Sequence, residues 1–237
     1  MGEWNTAVIG ATAGAVFGLI GVLVGQYLTQ RRHTEALRQT AELEEQRANQ
    51  AALLEYFELG GPLLREPSEA DYLSPILRAQ TLTLLEVLEP GHKRILLQFL
   101  YESSLLGPEK PGFGLQGANL ERANLAEANL AGANLAKANL VDANLHKAKL
   151  EEAHLVGANL AGANLHEVNL QRANLGWANL LEANLKEADL SGAFLQEITK
   201  ESLTQTQIDE AVGNDATKLP DYLQRPAHWR GGLGGRG

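Results

Sequence analysis

One stretch of the chain repeats its hydrophobic and polar positions on a beat of five. From Leu115 to Leu195 every fifth residue is leucine, seventeen times in succession. Two residues before the leucines, from Ala118 to Ala193, alanine stands at fifteen of sixteen positions, with Val168 the exception. Between the two, asparagine fills twelve of sixteen places, interrupted by Lys149, His154, Asp189 and Phe194. On an α-helix, residues five apart are rotated by roughly 140°, which would smear the leucines around every side. On one unbroken strand five is odd, so successive leucines would alternate faces. A chain that turns a corner every five residues gives all of them one environment. Leucine and alanine then share the inner face of a short extended segment while asparagine points out. The pattern predicts a solenoid whose stacked coils bury a continuous stripe of Leu and Ala, each coil touching only its neighbours.

The A-N-L-x-x unit, as in GANLE RANLA EANLA GANLA, closely resembles that of the pentapeptide-repeat family. The resemblance implies a mainly β fold, a right-handed quadrilateral β-helix with four pentapeptides per coil and about four coils here. At ~4.8 Å between stacked strands the rod would be on the order of 20 Å long.

A different pattern fills the N-terminus. Residues 7–28 (AVIGATAGAVFGLIGVLVGQYL) contain no charge, and as a helix they span ~33 Å, enough for a bilayer core of ~30 Å. Trp4 and Tyr27 stand near its ends, where aromatic belts lie. Arg31, Arg32, Arg38 and Arg47 follow the stretch and no Lys or Arg precedes it. The segment therefore reads as a single-pass inner (plasma) membrane anchor with the rest of the chain in the cytoplasm. Gly10, Gly14 and Gly18 share a helix face and are candidates for close helix packing in the membrane.

Between anchor and repeats, Gln30 to Leu59 is rich in helix formers and lacks Gly and Pro, which predicts a helical stalk. Gly60-Gly61-Pro62 ends it. A loop is expected from Pro62 to Glu69, then a helix opening at Ser74-Pro75, a break at Glu89-Pro90-Gly91, and a last helix. That helix is expected to bury a stripe of Ile95, Leu96, Phe99, Leu100 and Ser103. KRILLQFLYESSLL resembles what precedes the repeats in membrane-anchored bacterial members of the family. After Leu195 the beat stops, and LTQTQIDEAVGNDATKLP with RPAHW resembles the family's terminal segment. The domains are thus 1–29 transmembrane helix, 30–59 juxtamembrane helix or stalk, 60–110 helical cap and linker, 111–199 β-helix, and 200–237 C-terminal cap and flexible tail.

Composition narrows the function. With no cysteine, disulfides, thiolate metal sites and cysteine catalysis are excluded. The net charge of −9 argues against nucleic acid as a partner. No nucleophile elbow, phosphate loop or dinucleotide fingerprint occurs, so no catalytic residue, cofactor or small-molecule ligand is expected and the chain reads as a non-enzyme. With twenty residues per coil, as the resemblance implies, His146 lies below His166 with Lys186 next. Two ligands beside lysines do not make a metal site, and none is assigned.

The same column arithmetic nominates a partner surface. One outward column reads Gln116, Ala136, Val156 and Gly176 with Trp177 beside it, and the next reads Glu121, Val141, Ala161 and Leu181. Val141, Val156, Trp177 and Leu181 are the partner-binding candidates. The reading is a membrane-anchored scaffold or protein-interaction module, binding a protein partner or a second copy. One alternative is a membrane effector in stress or defence that oligomerises through its glycine-rich helix. Another is a DNA mimic inhibiting gyrase, as in the quinolone-resistance members of the family.

Overall fold

The structure, a computed structural model, describes residues 30–58, 67–106 and 114–229, without the side chains of 67–74. The anchor expected at 7–28, with Gly10, Gly14 and Gly18, lies outside the described residues. Among the described residues no helix is long and apolar enough to cross a membrane.

The chain divides into two compact units, Met1–Ala48 and Asn49–Gly237. In the first, residues 30–48 are helical, the opening part of α1 (residues 30–58), and all of them are exposed. Arg31 pairs with Glu35 one turn on, at 3.1 Å.

The break expected at Gly60-Gly61-Pro62 lies outside the described residues, and the second unit begins inside α1. Its apolar side chains explain why. Leu53 and Tyr56 are buried, packed with α2 (Pro67–Val87) and α3 (Pro90–Glu102). The Thr81 hydroxyl donates to the Leu77 carbonyl at 2.8 Å, so Tyr56 must donate to Thr81 Oγ1, 2.6 Å away. Phe57 lies against Phe99 with ring centroids 4.4 Å apart.

Two expectations for these helices need correction. α2 starts at Pro67 and carries Pro75 inside it, so the loop expected up to Glu69 and the helix start expected at Ser74-Pro75 are displaced. Proline suits the first turn, where its missing N–H has no partner to lose, and Pro67 takes that place. In α3 the buried side chains are Lys93, Leu96, Leu97 and Leu100, while Ile95 is 50% exposed. The buried face thus runs i, i+3, i+4, i+7 from Lys93, one position round from the expected stripe.

From Gly114 the chain turns a corner every five residues. From Asn119 to Asn174, parallel bridges join each Asn-position residue to the one twenty later, as in Asn119↔Asn139, Asn124↔Asn144, Asn129↔Lys149 and Asn134↔His154. These four ladders are the four sides of a β-solenoid. Every fifth residue from Leu115 to Leu195, and every fifth residue from Ala118 to Ala193 with Val168 among them, is at most 4% exposed. Each such leucine contributes ~1.5–3 kcal/mol of hydrophobic burial.

Each corner is a β-turn closed by an N–H of the Ala position on the preceding Leu carbonyl, as from Ala118 to Leu115 at 3.0 Å. Its third residue has positive φ, between 53° and 60° where the residue is not glycine, from Arg122 to Glu187. The left-handed region costs an L-residue roughly 1 kcal/mol, and the buried stripe outweighs it. Asparagine does more than point outward. Its Oδ1 accepts the N–H two residues on, as Asn139 does from Val141 at 3.3 Å, and its Nδ2 often reaches the preceding coil, as from Asn179 to Asn159 at 3.0 Å.

The ladders have a direction. N–H groups of the Leu position and of the positive-φ position donate forward, as Leu120 to Asn139 and Arg122 to Val141. The Asn-position N–H alone donates backward, as Asn139 to Ala118. The first coil therefore ends rich in free carbonyls and the last coil rich in free N–H groups. The helices meet the first need with cations. Arg78 Nε donates to the Gly114 carbonyl at 2.7 Å and its Nη2 to the Gln116 carbonyl at 3.2 Å, while Lys93 Nζ donates to the Asn119 carbonyl at 2.9 Å.

Acceptors meet the second need. Leu190 donates to the Val212 carbonyl and Leu195 to the Lys218 carbonyl, and Gly192 donates to Asn214 Oδ1 and Thr217 Oγ1. α4 (Gln205–Glu210) opens with a capping box between Thr204 and Gln207. Gln207 Nε2 also reaches back to the Leu180 and Ala183 carbonyls. A short 3-10 helix, Ala227–Trp229, seats Trp229 at 1% exposure, its indole N–H on the Ala211 carbonyl at 2.9 Å.

Candidate interaction surface

The sequence candidates fall on corners, not on flat sides. Residue 136 and its column equivalents 156 and 176 turn the corner leading into the face of Asn119, Asn139, Asn159 and Asn179. Residue 141 and its equivalents 161 and 181 turn the corner leaving it. Val156, Trp177, Val141 and Leu181 therefore flank one face, with its asparagines between them. Val141 and Val156 are half-buried in their columns. Trp177 is 64% exposed and Leu181 48%. The apolar offering is thus concentrated on the last coil, and the two valines form its floor rather than its tip.

Trp177 occupies the positive-φ place, with φ 56°. The same column otherwise holds Gly117, Lys137 and Gly157. A bulky residue is least at ease there, and Trp177 does not bury its ring in return. Gly176, next to it, is where the Phe194 ring crosses below, within 3.4 Å of where a Cβ would stand.

Elsewhere the corners carry interleaved charge. Lys147 pairs with Glu167 at 3.5 Å, Arg172 with Glu152 at 2.6 Å, and Arg122 with Asp142 at 4.0 Å. Each pair joins one coil to the next, and their exposure limits each to ~0–1 kcal/mol. Among the described corners no column of positive-φ residues is an unbroken line of carboxylates.

Two perturbed groups lie in the helical cap. Burial pushes the Tyr56 phenol up to about 12. Burial also pulls the Lys93 ammonium below its usual range, with the carboxylates of Glu86 and Glu121 acting the other way. Lys93 is needed at the ladder end as a donor, and its two acidic neighbours hold its charge there. Between α1 and α2 runs an open apolar groove of about 570 Å3, lined by Tyr56, Ile76, Ala79 and Leu84 among others.

The histidine column is assembled as the spacing of twenty requires, with the His146 and His166 rings stacked. The sequence reading missed what stands beside them. Glu167 is brought to within 3.3 Å of His166 by its corner conformation, and an acidic residue following a column histidine at a positive-φ place was the available signal.

A family model described as Pentapeptide repeats matches in eight copies, over residues 115–151, 138–176 and 163–198. Among solved structures, the chain is 33% identical to HetL, a pentapeptide repeat protein involved in heterocyst differentiation regulation from the cyanobacterium Nostoc sp. strain PCC 7120. That match covers 40% of this chain and 43% of HetL, with a TM-score of 0.35. A pentapeptide repeat protein of the Arabidopsis thaliana thylakoid lumen is 32% identical over 40% of this chain and 65% of its own, with a TM-score of 0.32. A second pentapeptide repeat protein from Nostoc is 32% identical over 45% of this chain and 84% of its own, with a TM-score of 0.33. The chain thus spans less than half of HetL and just under two thirds of the Arabidopsis protein. No curated protein matches it.

Proposed function

Because this chain belongs to the pentapeptide-repeat family, whose fold is the right-handed β-helix, we propose that its solenoid is a non-enzymatic interaction module. Residues 7–28 tether it to the plasma (inner) membrane, and the module faces the cytoplasm. Its partner is a protein or a second copy of the chain.

Trp177 carries the binding half of this reading. A tryptophan with most of its ring in solvent, at a backbone position that glycine or a small cost would serve better, contributes little to the fold. Covered by a partner together with Leu181, it supplies the large rigid apolar contact on which interfaces concentrate their energy. The interleaved charges of the other corners speak against DNA mimicry. The uncharged length of residues 7–28 and the arginines on one side of it support the tether and its orientation.

The test of the surface is Trp177→Ala combined with Leu181→Glu in the full chain. Loss of association is expected, in sedimentation for self-association or in pull-down for a partner, with the circular dichroism spectrum unchanged. Exchanging the charges of Glu152 and Arg172 on another corner should change association little. Binding that survives the first variant and fails in the second would reject this face. Protease protection of residues 60–237 in intact cells is expected from the tether, and digestion from outside would reject its orientation.

A further inference from the structure

His146 and His166 stand one coil apart on the corner that follows the face of Asn124, Asn144, Asn164 and Asn184. Their ring centroids are 5.1 Å apart and their planes 23° from parallel. Each Nδ1 meets a backbone carbonyl of the next coil, His146 that of His166 at 3.1 Å and His166 that of Lys186 at 2.8 Å. Those carbonyls already accept one ladder N–H each, from Lys147 and Glu167, so the imidazoles take the second lone pair. A carbonyl only accepts. Each Nδ1 therefore carries a proton, which leaves Nε2 as the nitrogen through which each ring could bind a metal.

The third donor is Glu167, whose Oε1 lies 3.3 Å from His166 Nε2. A proton or a metal ion between the two satisfies both atoms at that distance. One donor atom from each of His146, His166 and Glu167 can be chosen so that all three lie within 4.8 Å of one another. A tetrahedral ion with bonds of ~2.0–2.2 Å to nitrogen and oxygen holds its ligands ~3.3 Å apart, the separation His166 and Glu167 already have. His146 closes the rest by tilting a half-buried ring. An Nδ1–H held on a backbone carbonyl is also the outer contact that orients metal-binding histidines.

We propose that His146, His166 and Glu167 bind a divalent transition ion of the zinc class, which pins one coil of the solenoid to the next. Two imidazoles and a carboxylate favour Zn2+, Cu2+ or Ni2+ over Mg2+ and Ca2+, which take oxygen ligands. The site is open to solvent, so the fourth position belongs to water or an exchangeable donor. Its competitor is Lys147, whose ammonium stands 3.5 Å from the other carboxylate oxygen of Glu167.

The experiment is a calorimetric titration of the full chain, carrying no histidine tag, with Zn2+. One saturable site per chain is expected. His146→Gln and His166→Gln should each weaken it by about tenfold or more, and Glu167→Gln should weaken it as well. His154→Gln, which removes an exposed histidine from another face, should leave affinity unchanged. Lys147→Gln should tighten binding by freeing Glu167, a gain that misfolding does not produce. Absence of saturable binding would mean that His166 and Glu167 share a proton instead, and would overturn the proposal. Binding lost equally in His154→Gln, or indifferent to His146→Gln, would overturn it as adventitious surface binding.

Discussion

Gly213 and Trp229 meet in the C-terminal cap so closely that one methyl group reports on the contact. A Cβ on Gly213 would stand 2.5 Å from Trp229 Cε3 and 2.7 Å from Cδ2, where a relaxed carbon pair needs ~3.5–4.0 Å. Gly213 is outside the left-handed region, so alanine meets no backbone penalty there and the whole cost is collision. The indole has little freedom to yield, being 1% exposed and hydrogen-bonded to the Ala211 carbonyl. Overpacking of this kind costs ~1–3 kcal/mol, and Trp229→Ala alone should cost ~3–5 kcal/mol. In the Trp229→Ala background the methyl has room, and Gly213→Ala should then cost almost nothing. The expected coupling is therefore ~1–3 kcal/mol, read by urea unfolding of the four chains of the cycle. Costs that add to within ~0.5 kcal/mol would refute the seating of the indole on Gly213. A second readout follows from the direction of the ladders. Unseating the cap bares the N–H-rich end of the last coil, so Trp229→Ala should associate more with concentration in sedimentation.

Two further outcomes are expected. Leu155, fully buried in the middle of the stack, should cost ~4 kcal/mol or more as Leu155→Asp, whereas Glu152→Ala, which loses only an exposed pair with Arg172, should stay within ~1 kcal/mol of the parent; equal melting temperatures would refute the register. For Tyr56, the unfolded phenol loses its proton near pH 10 and the folded one at about 12, so its contribution is whole below pH 10 and is lost as pH rises to 12. Stability relative to Tyr56→Phe should fall by ~2–3 kcal/mol across that window, and a flat difference in denaturant midpoints would count against the burial.

The repeat was legible because every leucine had to occupy the same environment, and only a corner every five residues provides that. The stacking by twenty, and with it the Val141–Leu181 and His146–His166 columns, follows once four sides are granted. What escaped was everything that depends on single residues meeting across elements. Arg78 and Lys93 cap carbonyls far away in sequence, and no periodicity marks them. The α3 stripe was set one position off because Lys93, a cation, belongs to the buried face. Glu167 goes unmarked in the sequence, since its approach to His166 comes from a backbone conformation that composition does not reveal.

The ladders fix columns at twenty, while the buried stripe repeats at five, and these two rhythms answer differently to insertion and deletion. Losing a whole coil shortens the stack but leaves the surviving columns aligned as before. Losing one pentapeptide leaves the core equally content, since leucine still follows leucine, but it turns everything beyond it by a quarter of a revolution against the helical cap. Trp177 would then face a different direction from the cap, and residues formerly in one column would stand in two. Five is therefore the unit in which this fold tolerates change, and twenty is the unit in which its surface can be inherited.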